Sequence, residues 1–112
     1  MEMSDAQIGS VEVLRLSGRF DAHEIKPVVE WISTRTQAGQ ASIVVNLEKV
    51  NFIDSTALSA LVQGLKRCRE AGGNLHLSNL DQPVRVIFEL TRLDKAFDIF
   101  AGESDAAAAF VN

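Results

Sequence analysis

Three consecutive residues, Asp54-Ser55-Thr56, concentrate what chemistry this sequence can carry. They follow an apolar strand-like run, Ser42-Ile43-Val44-Val45-Asn46-Leu47, and precede a helical spacing, Leu58, Leu61, Val62, Leu65 and Cys68. Small oxygen-bearing side chains at such a junction cap the free N–H groups of a helix start. The outward-pointing amides and the helix dipole also favour negative charge there. Ser55 is therefore expected to act as a helix cap, and also to offer a hydroxyl where an added phosphate finds electrostatic support. Thr56 is the rival acceptor, about 100° further round the helix.

Little else in the chain is equipped for catalysis. A Cys-His pair would need Cys68, which lies on the apolar stripe of its helix, where a free thiol packs as a small hydrophobe. His76 falls in the polar phase of a strand and is expected at the surface; His23 sits in a loop near a helix start. One cysteine and two distant histidines do not make a tetrahedral zinc site, and no phosphate-binding glycine motif is present. The acidic pairs Asp21/Glu24 and Asp94/Asp98 have no spacing that converges them for acid–base work. These absences point to a binding protein without a cofactor or metal and away from an enzyme.

The elements that must position the serine alternate between strand and helix. Ser4 to Gly18 reads as one or two strands, with Gly9-Ser10 a weak turn signal. Ile25, Val28, Val29 and Ile32 mark an amphipathic helix with Pro27 in its first turn and Gly39 as its stop. Residues 42–47 suit a strand covered on both faces. The helix from Ser55 to about Ala71 stops at Gly72-Gly73, and Leu75 and Leu77 alternate into another strand. Asp81-Gln82-Pro83 opens a helix with the stripe Val84, Ile87, Phe88 and Thr91; Ala96–Phe100 reads as an edge strand; Ser104 is expected to cap a terminal helix ending near Phe110. The expected core is Ile43, Val45, Leu47, Phe52, Leu58, Leu61, Val62, Leu65, Leu75, Leu77, Ile87 and Phe88. Alternating strands and helices imply an α/β architecture around a mostly parallel sheet. With 112 residues, 46% hydrophobic and 23% charged, a single domain over 1–112 with a real core is expected. No apolar run approaches a membrane span, and a net charge of −4 disfavours nucleic acid as a direct partner. Lys66-Arg67-Cys68-Arg69 reads as the solvated side of a helix. A lone cysteine and an acidic N-terminus fit a cytoplasmic protein.

Val44–Leu61, centred on Asp54-Ser55-Thr56-Ala57-Leu58, resembles the STAS family of bacterial anti-sigma factor antagonists. So do Leu16-Ser17-Gly18-Arg19-Phe20-Asp21-Ala22 and Ala71-Gly72-Gly73-Asn74-Leu75-His76-Leu77; the match runs in order over residues 8–100. One departure is Ala57, where many members carry glycine. The resemblance implies a single STAS-like domain, a mixed, mostly parallel sheet of four to five strands with about four helices. It implies that Ser55 is a phosphoacceptor, flanked by Asp54, Thr56, Ala57 and Leu58. It implies a partner surface made of the Phe20–Glu24 loop, Lys49–Thr56 and the exposed face of the second helix, with Phe20, Asp21, Glu24, Asn51, Ser59 and Gln63 in it. The implied partners are an anti-sigma factor that is also a serine kinase of the histidine-kinase-like ATPase type, and a serine phosphatase. In the implied function the unmodified protein binds the anti-sigma factor and frees a sigma factor, and phosphorylation of Ser55 turns binding off. Two other functions remain open at this point: a structural STAS subunit of a stress-signalling scaffold or of a lipid or anion transport complex, and a small-ligand sensor using the loop near Ser55.

Overall fold

Five strands lie side by side in chain order in the computed structural model, which describes residues 1–110: β1 (Glu2–Ile8), β2 (Val11–Phe20), β3 (Ser42–Ile53), β4 (Asn74–Ser78) and β5 (Asp98–Phe100). A tight turn at Gly9-Ser10 makes β1 and β2 antiparallel, and every later junction is parallel. Parallel neighbours need crossovers, and helices supply them: α1 (Ile25–Gln37) between β2 and β3, α2 (Ser55–Glu70) between β3 and β4, and α3 (Gln82–Leu90), with a short turn at Leu93–Lys95, between β4 and β5. α4 (Glu103–Ala108) follows β5. The fold is thus a single α/β domain with a mixed, mostly parallel sheet, as expected from the alternation.

The two sheet faces are covered unequally. Leu14, Leu16, Ile43, Val45, Leu47, Leu75 and Leu77 point to one face and are buried there by Val28, Trp31 and Ile32 of α1, Leu58, Leu61, Leu65 and Cys68 of α2, and Val84 and Phe88 of α3. Val62 and Ile87 pack at the margin of this core. Burial pushes the Cys68 thiol up to about 11, so it stays neutral and inert in the folded protein. The opposite face is covered only in part, where Val11, Val13 and Val44 meet Ala106 and Ala107 of α4.

Four expectations need correction. Phe52 is not core: it is 37% exposed and lies beneath the Arg19 guanidinium, 3.9 Å from the ring centre. The inward residues of the second half of β3 are Val50 and Ile53 instead. Register shifts against β2 between Arg15 and Ser17 and between Gly18 and Arg19 break the simple alternation there. His76 is not at the surface. α4 buries it, its Nδ1 lies 2.8 Å from the Ala106 carbonyl, and its ring stacks on Phe110 at 3.9 Å. A carbonyl only accepts, so Nδ1–H is the donor. The cap of α4 is Gly102 rather than Ser104, which lies inside the helix. Thr91 is exposed and donates its hydroxyl to the Ile87 carbonyl at 2.7 Å rather than joining the α3 stripe.

Two contacts fix α4. Besides the His76 bond, the Glu103 carboxylate accepts from Arg15 Nε at 2.7 Å, Arg15 Nη2 at 2.9 Å and Asn46 Nδ2 at 2.6 Å. The Arg15 hydrogen bonds hold the Glu103 carboxyl below the usual carboxylate range. A carboxylate depressed on folding contributes stability above its unfolded value of about 4.3, and loses it as pH falls through the folded value. Between pH 6 and pH 3 the melting temperature of the wild type should therefore fall further than that of Glu103→Gln; parallel curves would show that the cluster adds nothing.

The join between α2 and β4 depends on one glycine for steric reasons. A Cβ on Gly73 would stand 2.1 Å from the Ala41 carbonyl oxygen, which accepts from Asn74 N at 3.1 Å. Gly73→Ala should thus cost about 3 kcal/mol or more in urea unfolding, whereas Gly102→Ala should stay within about 1 kcal/mol. A neutral Gly73→Ala would mean that the β3–β4 connection yields easily.

Candidate functional site

Asp54 leaves β3 in extended conformation (φ −106°, ψ 177°) and caps α2. Its Oδ1 accepts from Ala57 N at 2.8 Å, and its carbonyl accepts from Leu58 N at 3.0 Å. Ser55 is therefore not the cap, as expected from its residue type, but the first helical residue. A carboxylate both reaches the amide three residues on and complements the helix dipole, so it takes the position. Ser55 and Thr56 are both exposed, with side chains free of intramolecular hydrogen bonds among the described residues. The Ser55 and Thr56 amides likewise have no protein acceptor among those residues, so the amides left to meet an anion are these two and not Ala57's. Ala57 and Leu58 turn inward and are buried, which places Ala57, the departure from glycine, against the core rather than on the outer surface.

The second carboxylate oxygen of Asp54 joins this turn to another. Oδ2 accepts from Ala22 N at 3.0 Å, and Asp54 N donates to the Phe20 carbonyl at 3.4 Å. The Phe20–Glu24 loop is thereby fastened beside the start of α2. Within it, Asp21 folds back locally: Oδ1 accepts from His23 N at 3.0 Å, and the Asp21 carbonyl accepts from Glu24 N at 2.9 Å. Its carboxylate also faces Arg19 Nε at 3.8 Å and His23 Nδ1 at 3.6 Å.

The structure brings Asp21, Glu24, Asn51, Asp54, Ser55 and Thr56 to one rim at the carboxyl ends of β2 and β3, with Ser59 one turn and Gln63 two turns further along α2. Asn51, Ser55, Thr56, Ser59 and Gln63 are exposed, and Asp21, Glu24 and Asp54 are half-buried. Phe20 is the exception. Its side chain is fully buried in the helix-covered core, so only its backbone reaches this region. Arg19, which the expected surface leaves out, joins the rim, with Phe52 beneath its guanidinium. The register shift at Gly18/Arg19 is an extra β3 residue, Asn51, that brings Phe52 opposite Arg19, and spacing within either strand alone does not report it. The catalytic candidates do not converge: Cys68 is buried in α2, His76 lies under α4, and among the described residues no cluster of three metal-binding side chains occurs. Two grooves of about 470 Å³ lie elsewhere, one lined by residues such as Arg15, Asn46 and Lys49 and one by Glu12 and Arg35, and neither is lined by Ser55. No helix among the described residues is long and apolar enough to cross a membrane.

The site this α/β domain presents is an exposed serine at a helix start beside a fastened acidic loop. Residues 2–106 match the family model of the STAS domain, and the chain belongs to that family. It is similar to the anti-sigma-B factor antagonist of Staphylococcus aureus, with 27% identity over 89 residues that span 80% of this chain and 82% of that protein. It is also similar to the anti-sigma F factor antagonist of Paenibacillus polymyxa, with 28% identity over 97 residues spanning 86% of this chain and 83% of that protein. An anti-sigma factor antagonist from Mycobacterium paratuberculosis superposes with a TM-score of 0.86 at 22% identity, over 97% of this chain and 92% of the other. The Bacillus cell fate determinant SpoIIAA in its phosphorylated form superposes with a TM-score of 0.77 at 23% identity, over 96% of this chain and 98% of the other. At such identities these solved structures establish a common fold.

If Asp54 carries the cap, Asp54→Ala should lose about 1–3 kcal/mol in urea unfolding, while Ser55→Ala should change stability by less than about 0.5 kcal/mol. The reverse order would return the cap to Ser55.

Proposed function

We propose that this protein is an anti-sigma factor antagonist switched by phosphorylation of Ser55. In its unmodified form it binds an anti-sigma factor in the cytoplasm and so frees a sigma factor. The observation that carries this reading is the exposed Ser55 hydroxyl at the first position of α2, relieved of capping by Asp54. The names of the relatives supply the class of partner. The anti-sigma factor is taken to be the kinase, of the histidine-kinase-like ATPase type, with a separate serine phosphatase restoring the free hydroxyl. Asp21, Glu24, Asn51, Ser59 and Gln63, around Ser55 and Thr56, form the partner surface in this reading.

A phosphate adds about −1.5 to −2 charges and three strong acceptors. The Ser55 and Thr56 amides and the dipole of the 16-residue α2 offset the repulsion from Asp54, so the fold tolerates the change. An interface does not. A dianion pressed against an apolar or acidic partner surface costs several kcal/mol unless a cation meets it. About 2.7 kcal/mol already weakens binding a hundredfold.

The test is to incubate the protein with ATP and the histidine-kinase-like ATPase encoded nearest its own gene. One phosphate on Ser55 is expected, with partner affinity lower by about a hundredfold or more and the melting temperature within a few degrees of the unmodified protein. Phosphate on Thr56 alone or on Ser104 would show that the acceptor is misplaced. Equal affinity of both forms would remove the switch and favour a structural STAS subunit.

A further inference from the structure

Around Ser55, Asp54 and Asp21 flank the turn, while Glu24 in the adjoining loop is paired with the N-terminal ammonium of Met1 at 3.0 Å. That ammonium is committed to Glu24, so the cation freest to turn toward Ser55 is Arg19. β2 and β3 run parallel to their ends here, with Arg19 paired to Phe52 and Phe20 to Ile53, two residues before Ser55. The Asp54–Ala22 bond then holds the continuation of β2 against the start of α2. Arg19 itself is weakly committed. Its side chain is 63% exposed, its Nε stands 3.8 Å from Asp21 Oδ2, and its guanidinium rests on the exposed face of Phe52. Lys49 is paired to Ser17, further from the strand ends, and the almost fully exposed His23 has no aromatic support.

We propose that Arg19 reads a phosphate on Ser55 within the same molecule: its guanidinium turns from the Phe52 ring to the phosphate, leaving Phe52 as a bare aromatic at the rim. The proposal rests on Ser55 being the modified residue. Its physical basis is a competition. An exposed cation–aromatic contact and a long pairing to Asp21 are each weak. A phosphate dianion offers the planar guanidinium two parallel, charge-assisted hydrogen bonds, which a lysine ammonium cannot match. The modification thus changes two things on the face a partner meets: the charge at Ser55 and the Arg19–Phe52 surface beside it.

The experiment uses the whole 112-residue chain with phosphate placed on Ser55 during chemical synthesis, so that no kinase is involved. Phosphorus NMR follows the phosphate titration in the wild type, Arg19→Gln and Arg19→Lys, and proton NMR follows the Phe52 ring. A nearby cation favours the dianion, so the phosphate midpoint should lie about half a pH unit lower in the wild type than in Arg19→Gln, with Arg19→Lys between them. The Phe52 ring resonances should shift on phosphorylation in the wild type but not in Arg19→Gln. Arg19 is exposed, and a melting curve confirms that each variant folds. Identical midpoints, together with a Phe52 ring indifferent to the phosphate, would overturn the proposal. Because the phosphate is installed chemically, that result leaves the kinase experiment intact, and a kinase that ignores Ser55 leaves this one intact.

Discussion

The arrangement of the candidate site depends on one carboxylate. Asp54 uses one oxygen to cap α2 and the other to hold Ala22, so a single side chain sets both the start of the helix and the position of the loop beside it. Two loops fixed independently would each lose conformational freedom for their own contacts. Here both are referred to the end of β3, which stays paired with β2 as far as Ile53 and buries Val50 and Ile53 in the core. Ser55 inherits that rigidity without contributing to it. A residue that holds nothing in place is free to be changed chemically.

The same division between support and surface runs through the domain. Three helices pack one face of the sheet and bury its large aliphatic residues, while the short α4 covers only part of the other. That partial cover leans on polar groups more than on area: Glu103 gathers Arg15 and Asn46, and His76 holds the Ala106 carbonyl. Polar contacts depend on pH and salt in a way that aliphatic packing does not. The helix-covered face is therefore the constant part of the molecule, and the α4 face the part that responds to solution conditions.

Most of the fold was legible because its signals are local. Leu58, Leu61, Leu65 and Cys68 announce α2 by spacing, Gly72-Gly73 announces its end, and Leu75 and Leu77 announce β4. The turn at Asp54-Ser55-Thr56 was legible for the same reason. What the sequence hid arises from pairing between distant segments. Phe52 reads as core by composition, yet the extra residue that β3 carries against β2 before it leaves it exposed under Arg19. His76 reads as a surface residue because nothing in β4 announces the helix that later covers it, some 30 residues on. Asp54 and Ser55 are both good caps by type, and only geometry shows the carboxylate in that place. Phe20 sits in a motif that suggests a contact surface, but its ring completes the core while its neighbours face outward.

The separation of the cap from the serine also bears on how such a protein would persist in a cell. Degradation machinery samples the fraction of molecules that open, and that fraction follows folding free energy. Were Ser55, the proposed acceptor, also the cap, each cycle of the proposed modification would alter that free energy, and the two forms would be cleared at different rates. With Asp54 holding the helix, both forms should have similar lifetimes. Under the proposed switch the pool would keep its size while its composition changed, and the ratio of the two forms would record the balance of the enzymes acting on it rather than the history of its synthesis.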